Sequence, residues 1–527
     1  MIRIGSVGLT LLAALGTGSA AVGISPWWWT ACVPLALLGL LGTWDLTQRR
    51  HSVLRNYPVI GHARFLLEKL RPELQQYFVE RNYDGRPFDR DVRSLVYERA
   101  KGTDAEEPFG TERDVYRTGH EFLVPSMAPR GVPETPPRVR IGGPDCTQPY
   151  DMALLNVSAM SFGSLSANAV LALNTGAARG NFAHDTGEGG MSDYHLRPGG
   201  DLVWEIGTGY FGCRTEDGGF DAGQFAEKAA HDQVKCVSLK LSQGAKPGIG
   251  GVLPGAKVNA EIARVRGVPQ GKTVTSPPYH QVFSTPRELV RFVARMRELA
   301  GGKPAGFKLC PGSRRQFLAV CKAMVEEGTT PDFIIVDGAE GGTGAAPLEF
   351  ADHIGTPLTD GLLTVHNALV GADLRDRIRI GASGKIATGS DLVKRLLQGA
   401  DYTNSARAMM FAVGCIQAQR CHTNTCPTGV TTQDPRRARA LNVADKSVRV
   451  QRFQEATVAG ALQIMASMGV TDPDQLRPHM LQRRVDPYTL RSFDEMYEWL
   501  APGELLAAPP SSWAADWQAA DPDHFTV

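Results

Sequence analysis

Residues 305–338, AGFKLCPGSRRQFLAVCKAMVEEGTTPDFIIVDG, contain the pattern that decides the fold. Two short apolar runs, Ala305–Cys310 and Phe333–Asp337, flank Ser313–Glu327, a segment with helical periodicity. Alternation of strand, helix and strand is typical of a parallel β-α-β unit. The same alternation continues on both sides of this stretch and predicts a parallel α/β sheet from Ala153 onward.

Eight strand candidates can be counted, and helical segments such as Ser390–Gln398 lie between most of them. The candidates are Leu154–Met160, Asn181–Asp185, Leu202–Ile206, Cys236–Leu241, Ala305–Cys310, Phe333–Asp337, Ile378–Ser383 and Tyr402–Ala406. Eight β/α units in about 250 residues are typical of a (β/α)8 TIM barrel, which we predict in preference to a doubly wound open sheet. The stretch Gln243–His280 is too long for an ordinary loop and is predicted to be an active-site insertion.

The N-terminus has the pattern of a transmembrane hairpin. Neither Ile4–Ile24 nor Trp27–Trp44 contains a charged residue, and each run can cross a hydrocarbon core of ~30 Å as a helix. The basic residues that follow predict a cell-membrane location with the catalytic part in the cytoplasm; they are Arg49, Arg50, Arg55 and Arg64. The alternatives are a signal peptide cleaved near Gly18-Ser19-Ala20 and a buried hairpin of a soluble protein.

The predicted organisation has four parts. They are a transmembrane hairpin (1–48), a helical linker and N-terminal subdomain (49–150), the barrel (151–470) and a C-terminal extension (471–527). The chain is 43% hydrophobic and 21% charged with a net charge of +1, which argues against a nucleic-acid binder. Of the nine cysteines only three cluster, so a reducing compartment fits better than a disulfide framework.

In a barrel, ligands bind at the C-terminal ends of the strands. The predicted ends are rich in lysines, glycines and small residues, and they include Ser158, Met160, Ser161, Glu188, Lys240, Gln243 and Lys308. A phosphate between strands seven and eight would be held by backbone N–H groups and a helix N-terminus, with Gly384, Lys385, Ser405 and Arg407 as candidates.

The run Glu340–Pro347 contains Gly341 and Gly342, which lack the Cβ that would obstruct a flat ring or a phosphate. A plain glycine-rich loop is the alternative. Gly207–Gly212 also matches G-x-G-x-x-G, but no β-α-β unit surrounds it, so no NAD(P) domain is predicted.

Cys415, Cys421 and Cys426 form a C-x5-C-x4-C motif. Three thiolates without a nearby fourth cysteine suit a three-iron cluster. A zinc ion bound by these cysteines and His422 is an alternative, although the adjacent Cys421 and His422 would converge awkwardly on one metal. Unliganded cysteines in the core are the third possibility.

At these residues the sequence resembles the synthase (FMN) region of glutamate synthases, and in particular short members that lack the glutaminase domain. The matching segments occur in family order and are Ser158–Ser166, Thr186–Gly190, Lys240–Gly255, Ser276–His280, Gly338–Pro347 and Gly414–Gln433.

The resemblance implies a barrel that holds FMN and a 3Fe–4S cluster. It implies reductive amination of 2-oxoglutarate, or a related 2-keto acid, with ammonia or an amine through a 2-imino acid that FMNH2 reduces. Electrons would come through the cluster from a separate donor, which would be a ferredoxin-like protein, an NAD(P)H reductase or a quinol. Glu188, Lys240 and Lys246 match the family's catalytic carboxylate and lysines, and Lys308, Met160 and Ser161 match positions near the flavin.

Two departures from the family pattern concern the substrate. Ile249 and Val252 stand where the family usually carries Glu and Gln, which leaves the keto acid open. The glutaminase domain is not found, so the chain is not expected to release ammonia from glutamine. The alternative functions are a membrane-associated FMN/iron–sulfur electron-transfer protein with a different acceptor and a non-enzymatic scaffold with a degenerate site.

Overall fold

The computed structural model describes residues 2–103, 106 and 108–526. The chain forms two compact units, Met1–Asp89 and Arg90–Val527.

The first unit is helical. Its helices are α1 (Ile2–Gly23), α2 (Trp29–Thr47), α3 (Ser52–Asn56) and α4 (Gly61–Leu74), and α4 continues into a π-helical turn at Gln75–Val79. Gly39 of α2 packs against Leu11 and Gly42 packs against Val7, so α1 and α2 form an antiparallel hairpin. By length and composition both helices can cross a membrane, a test that a signal sequence also passes. Their most apolar windows are only 17% and 22% buried, unlike the core helices of a soluble protein.

The second unit contains the described strands and the remaining helices. The strands are β1 (Glu121–Leu123), β2 (Arg138–Ile141), β3 (Tyr150–Ala153), β4 (Leu155–Val157), β5 (His184–Asp185), β6 (Leu202–Ile206), β7 (Val234–Lys240), β8 (Val252–Leu253), β9 (Val274–Thr275), β10 (Ala305–Leu309), β11 (Phe333–Asp337), β12 (Arg379–Ser383), β13 (Tyr402–Ser405), β14 (Leu481–Arg484) and β15 (Leu490–Ser492). The helices are α5 (Arg90–Lys101), α6 (Ala167–Gly180), α7 (Asp193–Leu196), α8 (Ala222–Ala229), α9 (Ala260–Arg266), α10 (Pro286–Leu299), α11 (Arg314–Glu327), α12 (Leu348–His353), α13 (Leu358–Gly371), α14 (Gly389–Leu397), α15 (Arg407–Ala412), α16 (Pro435–Ala438), α17 (Val443–Ser467), α18 (Phe493–Met496), α19 (Glu504–Ala507) and α20 (Ser511–Ala519).

Eight parallel strands close into a barrel in the order β4-β5-β6-β7-β10-β11-β12-β13, and β13 pairs with β4. Each predicted strand corresponds to one of these eight, so the predicted (β/α)8 fold is confirmed. The strands are buried along most of their length because side chains fill the barrel inside and helices cover it outside. In β11, for example, all five residues are buried.

The N-terminal end of the barrel is closed by the β2–β3 hairpin. Ile141 of β2 and Met152 of β3 share one buried cluster with Ala183, Val203, Cys236, Phe333, Ile335 and Tyr402, most of which lie near the starts of barrel strands. This plug leaves the C-terminal ends of the strands for the loops that carry the predicted site residues.

The predicted insertion at Gln243–His280 is a small structure of its own. It contains the antiparallel strands β8 and β9 and the helix α9. The C-terminal part of the chain packs on the outside of the barrel. There α17 lies against α5, α6 and α14, while α20 lies on α11 through ion pairs between Arg314 and Asp516.

Candidate active site

A carboxylate and a lysine form a buried ion pair at the C-terminal rim of the barrel. Lys240 ends β7, and its Nζ lies 2.7 Å from Oε1 of Glu188, which follows β5. The same Nζ donates a hydrogen bond of 2.5 Å to Oε1 of Gln243. Gly207 and Gly251 lie so close to Glu188 that a Cβ at either position would collide with its carboxylate. The two glycines therefore provide the space that the pair occupies.

The environment of Glu188 keeps its carboxylate ionised. Burial acts to raise the pKa of Glu188, but the charge and hydrogen bond of Lys240, with help from Arg266 and Lys308, bring the pKa below its usual value. Arg266 is itself buried, and its Nη2 donates to the carbonyl of Phe162 at 2.9 Å. This arginine was not among the predicted site residues, because nothing in the sequence of α9 marks it as facing the rim.

Lys246 is a second lysine beside this pair. It is 3% exposed, and among the described residues no hydrogen-bond partner of its Nζ is found. Burial and the nearby charge of Lys240 lower the pKa of Lys246, while Glu188 acts in the opposite direction. An anionic ligand group at this position would give the ammonium of Lys246 a partner.

Lys308 occupies the neighbouring strand at the same level as Lys240, with which it is in register. Its Nζ forms an ion pair with Glu205, and both side chains are buried. Burial acts to lower the pKa of Lys308, but the carboxylates of Glu205, Asp185 and Asp337 raise it overall. Lys308 is therefore a fixed positive charge inside the rim.

Glu205 was not identified from the sequence, although a signal was present. It is the one charged residue in the apolar run LVWEI of β6. A charge in a fully buried strand needs a partner, and Lys308 supplies it. Asp185, at the end of β5, shares this environment, and burial together with Glu205 raises its pKa.

The residues predicted to hold a phosphate meet where β12, β13 and β4 adjoin. Ser158 Oγ lies 3.1 Å from Ser383 Oγ, and the backbone N–H of Ser158 donates to the carbonyl of Ser405 at 3.0 Å. After Ser383 the chain turns sharply at Gly384 and Lys385, which have φ values of +152° and +51°. The structure thus brings Ser158, Gly384, Lys385 and Ser405 to one part of the rim.

Met160 and Ser161 are positioned by the loop that carries Glu188. Gly187 has φ +65°, and a Cβ there would lie 2.6 Å from the backbone nitrogen of Ser161 and 2.9 Å from the carbonyl carbon of Met160. Only glycine permits this approach, because other residues would clash and would also avoid the left-handed conformation. The loop that carries Met160 and Ser161 and the loop that carries Glu188 therefore form one surface.

The glycine run after β11 connects the two groups of residues. Arg407 Nη2 donates to the carbonyl of Glu340 at 2.6 Å, and Gly342 lies against the guanidinium of Arg407. On the other side, Gln243 Nε2 donates to Oγ1 of Thr343 at 3.2 Å. Gly341 lies beside Gly244, which precedes Lys246 by two residues. The glycine run thus lies between the residues that are predicted to bind the phosphate and the Glu188–Lys240 pair.

The insertion is attached to the rim by His280. Its Nε2 donates to the carbonyl of Lys240 at 2.9 Å, and its Nδ1 lies 3.1 Å from the hydroxyl of Tyr210. Burial lowers the pKa of His280 to about 4, so the imidazole is neutral at pH 7. The sequence placed His280 in a family motif but gave it no role.

The three predicted metal-binding cysteines lie on an irregular loop after α15. The hydroxyl of Tyr97 donates to the carbonyl of Cys415 at 2.7 Å. Burial, together with the charges of Cys421 and Cys426, raises the pKa of the Cys415 thiol to about 12. Burial acts to raise the pKa of Cys426, but hydrogen bonds from Thr428 and neighbouring groups lower it to about 7. Lowering the pKa favours the thiolate, the form that binds metals.

Within the part of the chain that the structure describes, no three His, Cys, Asp or Glu side chains converge closely enough to bind a single metal ion. In an iron–sulfur cluster several irons are held by cysteine thiolates, so the thiols need not meet at one point. Three free thiols on one loop, of which Cys426 is readily ionised, are the donors that such a cluster needs. The residues present therefore fit a cluster.

A buried lysine joins the cysteine loop to the rim. Lys257 Nζ donates to the carbonyl of Thr431 at 2.8 Å and to that of Ser164 at 3.2 Å. Burial lowers the pKa of Lys257 to about 8. Gln433 Nε2 donates to the carbonyls of Gly163 and Leu165, so the cysteine loop packs directly on the loop that carries Ser161.

Residues 148–471 match the family described as the conserved region in glutamate synthase. The glutamate synthase large subunit-like protein YerD of Bacillus subtilis is 37% identical over 496 residues, covering 86% of this chain and 94% of YerD. The archaeal glutamate synthase (NADPH) of Methanocaldococcus jannaschii is 32% identical over 323 residues, covering 61% of this chain and 60% of that protein. Among solved structures, mandelate oxidase with (S)-2-phenylpropionate aligns with a TM-score of 0.42 at 15% identity, covering 76% of this chain and 96% of that one.

Proposed function

The chain belongs to the glutamate synthase family, and from that premise we propose that it is an FMN-dependent oxidoreductase that reductively aminates 2-oxoglutarate or a related 2-keto acid. The amino group would come from ammonia or an amine. The predicted family and the predicted glutamate synthase-like enzyme class are confirmed, whereas the substrates are our proposal. The chain spans about 60% of the length of the archaeal relatives that it matches.

The observation that carries the proposal is the group of Glu188, Lys240 and Lys246. It contains one lysine held in an ion pair and one buried lysine whose ammonium has no hydrogen-bond partner among the described residues. A 2-keto acid has a carboxylate next to a carbonyl, so it offers one anion and one acceptor at short separation. Lys246 would bind the carboxylate, and Lys240 would donate a hydrogen bond to the carbonyl oxygen.

Proton transfer is the second task of this group. Formation of an imine from a carbonyl and an amine releases water, so a proton must reach the departing oxygen. Lys240 carries that proton in reach of the oxygen, and Glu188 and Gln243 hold its Nζ in place. Glu188 remains ionised because of Lys240 and Arg266, so it can accept a proton from the attacking amine.

The residues of the rim fit FMN, and those of the cysteine loop fit a 3Fe–4S cluster. Ser158, Gly384, Lys385, Ser405 and Arg407 would hold the phosphate, and Met160, Ser161, Gln243, Gly341 and Gly342 would border the flavin. Bound FMN would supply the two electrons for reduction of the imine, and the cluster would deliver electrons one at a time from a separate donor. Lys308, a fixed positive charge inside the rim, would favour an anionic flavin.

The keto acid is the least determined part of the proposal. Ile249 and Val252 lie in the same insertion as Lys246, and Gly251 between them borders Glu188. The segment next to the ion pair therefore carries two apolar residues where the family pattern has polar ones. We expect a keto acid with a less polar tail to compete well with 2-oxoglutarate.

The test is oxidation of the reduced flavin by substrate. The purified full-length protein, reduced anaerobically, is mixed with a keto acid and ammonium, and the amino acid product is identified with isotopically labelled nitrogen. We expect oxidation only when both substrates are present. Lys246→Met should raise the KM for the keto acid at least tenfold, whereas Lys272→Met, at an exposed lysine of the same insertion, should not. The proposal fails if no combination of keto acid and amine oxidises the flavin.

A second candidate is a membrane-associated FMN/iron–sulfur protein that transfers electrons to a different acceptor. The exposed apolar helices α1 and α2 favour it, because they would anchor the cytoplasmic catalytic unit beside membrane-soluble quinols. Reduction of the flavin by a quinol analogue in membranes, and its loss after deletion of residues 2–47, would support this candidate. Equal reduction of the flavin in the full-length and the truncated protein would argue against this candidate.

A further inference from the structure

Helix α4 has an apolar face that is exposed. Leu66, Leu67, Leu70 and Leu74, which we call the leucine face, fall on one side of the helix because their spacing follows the helical period. Their exposed fractions are 57%, 59%, 44% and 43%. A contiguous exposed stripe of this kind marks an interaction surface in a stable protein.

The leucine face continues into aromatic residues. Tyr77, Phe78 and Val79 follow in the π-helical turn, and Phe78 is 82% exposed. Tyrosine, together with apolar residues flanked by polar ones, is enriched where a membrane meets water. The composition of this face therefore fits a lipid interface.

The start of α4 is held at the end of the second apolar helix. Asp45 of α2 is fully buried, and its Oδ2 accepts a hydrogen bond of 2.8 Å from the backbone of Val59, while its Oδ1 lies 2.9 Å from Nε2 of His62. Asp45 directly follows Trp44, which is exposed. Trp44 and Trp28 are separated by ~24 Å of helix, close to the thickness of a hydrocarbon core. Trp44 would thus mark the membrane surface, and the first turn of α4 lies beside it.

The segment from the end of α2 to the π-helical turn carries an excess of positive charge. Residues 46–79 contain six Arg or Lys residues and two acidic residues, Glu68, which pairs with Arg64, and Glu73. Basic residues next to a membrane helix are attracted to anionic phospholipid headgroups. The segment therefore complements an anionic bilayer surface.

We propose that α4 and the turn that follows it lie flat in the headgroup region of an anionic membrane, with the leucine face buried among the acyl chains. The bilayer is the one that α1 and α2 span, so the inference rests on the proposed membrane anchoring. It adds a second attachment, parallel to the membrane surface, between the hairpin and the barrel unit. A second copy of the chain is the competing occupant of the leucine face.

The test uses the full-length protein in nanodiscs of phosphatidylcholine and phosphatidylglycerol. A phospholipid with a photoactivatable group in its acyl chain labels side chains that reach the acyl region, and peptides are then mapped by mass spectrometry. We expect label in residues 61–79 as well as in α1 and α2. Leu70→Glu should lower the label in 61–79 at least fivefold, whereas Gln75→Glu, with the same change in charge outside the leucine face, should lower it less than twofold.

Label in α1 and α2 without label in 61–79 would overturn the inference and leave the anchoring intact. Absence of label from both would overturn the inference together with the anchoring. If each nanodisc held two copies of the protein, and Leu70→Glu reduced this to one copy, a second chain would be shown to cover the leucine face. That result would also overturn the inference. Flavin oxidation by keto acid and ammonium, measured on the same samples, reports on the proposed enzymatic function separately.

Discussion

Replacing Lys240 by methionine should destabilise the protein in a manner that depends on Glu188. The two charged atoms are 2.7 Å apart and the side chains are 9% and 12% exposed. At an effective dielectric constant of ~20 their attraction is about 6 kcal/mol, and removal of one partner from a buried pair typically costs ~3–5 kcal/mol. Gln243 remains and the carboxylate can take up a proton, so we expect a loss of about 3 kcal/mol near pH 8.

The pH dependence gives the sign of this effect. In the wild-type protein the folded-state pKa of Glu188 is depressed, so its stabilisation is present above the unfolded pKa and is lost as the pH falls through the folded pKa. Without Lys240, burial dominates and raises that pKa above its unfolded value. Lys240→Met should therefore be most destabilised at high pH, and its deficit should shrink as the pH falls to about 5.

Thermal unfolding of the full-length protein at several pH values is the assay. Lys235→Met is the matched control, because Lys235 lies on the same strand but pairs with Asp201 at 3.7 Å with 38% and 26% exposure, a geometry worth ~0–1 kcal/mol. Adding Glu188→Gln to Lys240→Met should recover part of the loss, since the carboxylate that lost Lys240 is then replaced by a neutral amide. Equal losses for the two lysine variants, or no recovery in the double variant, would refute the reasoning.

Three other predictions concern the rim and the cysteine loop. Lys308→Met should lower the affinity for FMN at least tenfold, which is ~1.4 kcal/mol of binding free energy, because two buried carboxylates lose their cation. Lys308→Arg should keep more FMN, and the visible absorbance of the purified protein measures the flavin retained. Cys421→Ser should abolish bound iron and sulfide, whereas Cys321→Ser, at a buried cysteine of α11, should leave both unchanged; equal iron content would contradict the cluster. Burial lowers the pKa of His280 from 6.5 to about 4, so as the pH falls this histidine takes up a proton in the unfolded chain before it does so in the folded protein. Up to about 3 kcal/mol of the free energy of unfolding should therefore be lost between pH 6.5 and about pH 4. His280→Gln should remove that part of the pH dependence of thermal unfolding, and an unchanged profile would show that His280 is not its source.

The barrel was predictable because most of its strands are short runs rich in apolar residues, and such runs are easily recognised, although β5 and β13 consist mainly of polar residues. Their ends were less accurate. Asn181 was assigned to the second strand, but it has φ +52° and caps α6, so β5 contains only His184–Asp185. The first strand ends at Val157 rather than Met160, since Ser158 turns toward Ser383. Local pattern thus identifies a strand, while its end depends on contacts far away in sequence.

The candidate site was predictable as a set of residues but not as an arrangement. The motifs nominated Glu188, Lys240 and Lys246, yet only the folded chain shows which lysine is paired and which is not. Glu205 and Lys257 were missed because their partners are supplied by other strands and loops. The roles of the predicted catalytic, flavin and cysteine residues, and the predicted domain boundaries, stay predictions.

The pairing of β13 with β4 also determines when during folding the rim can exist. Ser158 and Ser383, which touch there, are 225 residues apart, and β4 stays without its β13 neighbour until Tyr402–Ser405 has been synthesised. Contacts with such large sequence separation form late, because the entropy of closing the long intervening loop must be overcome first. A nascent chain therefore carries most of the residues that are predicted to bind ligand long before the rim has formed. Capture of a ligand at this rim would be a direct signal that the last gap in the barrel has closed.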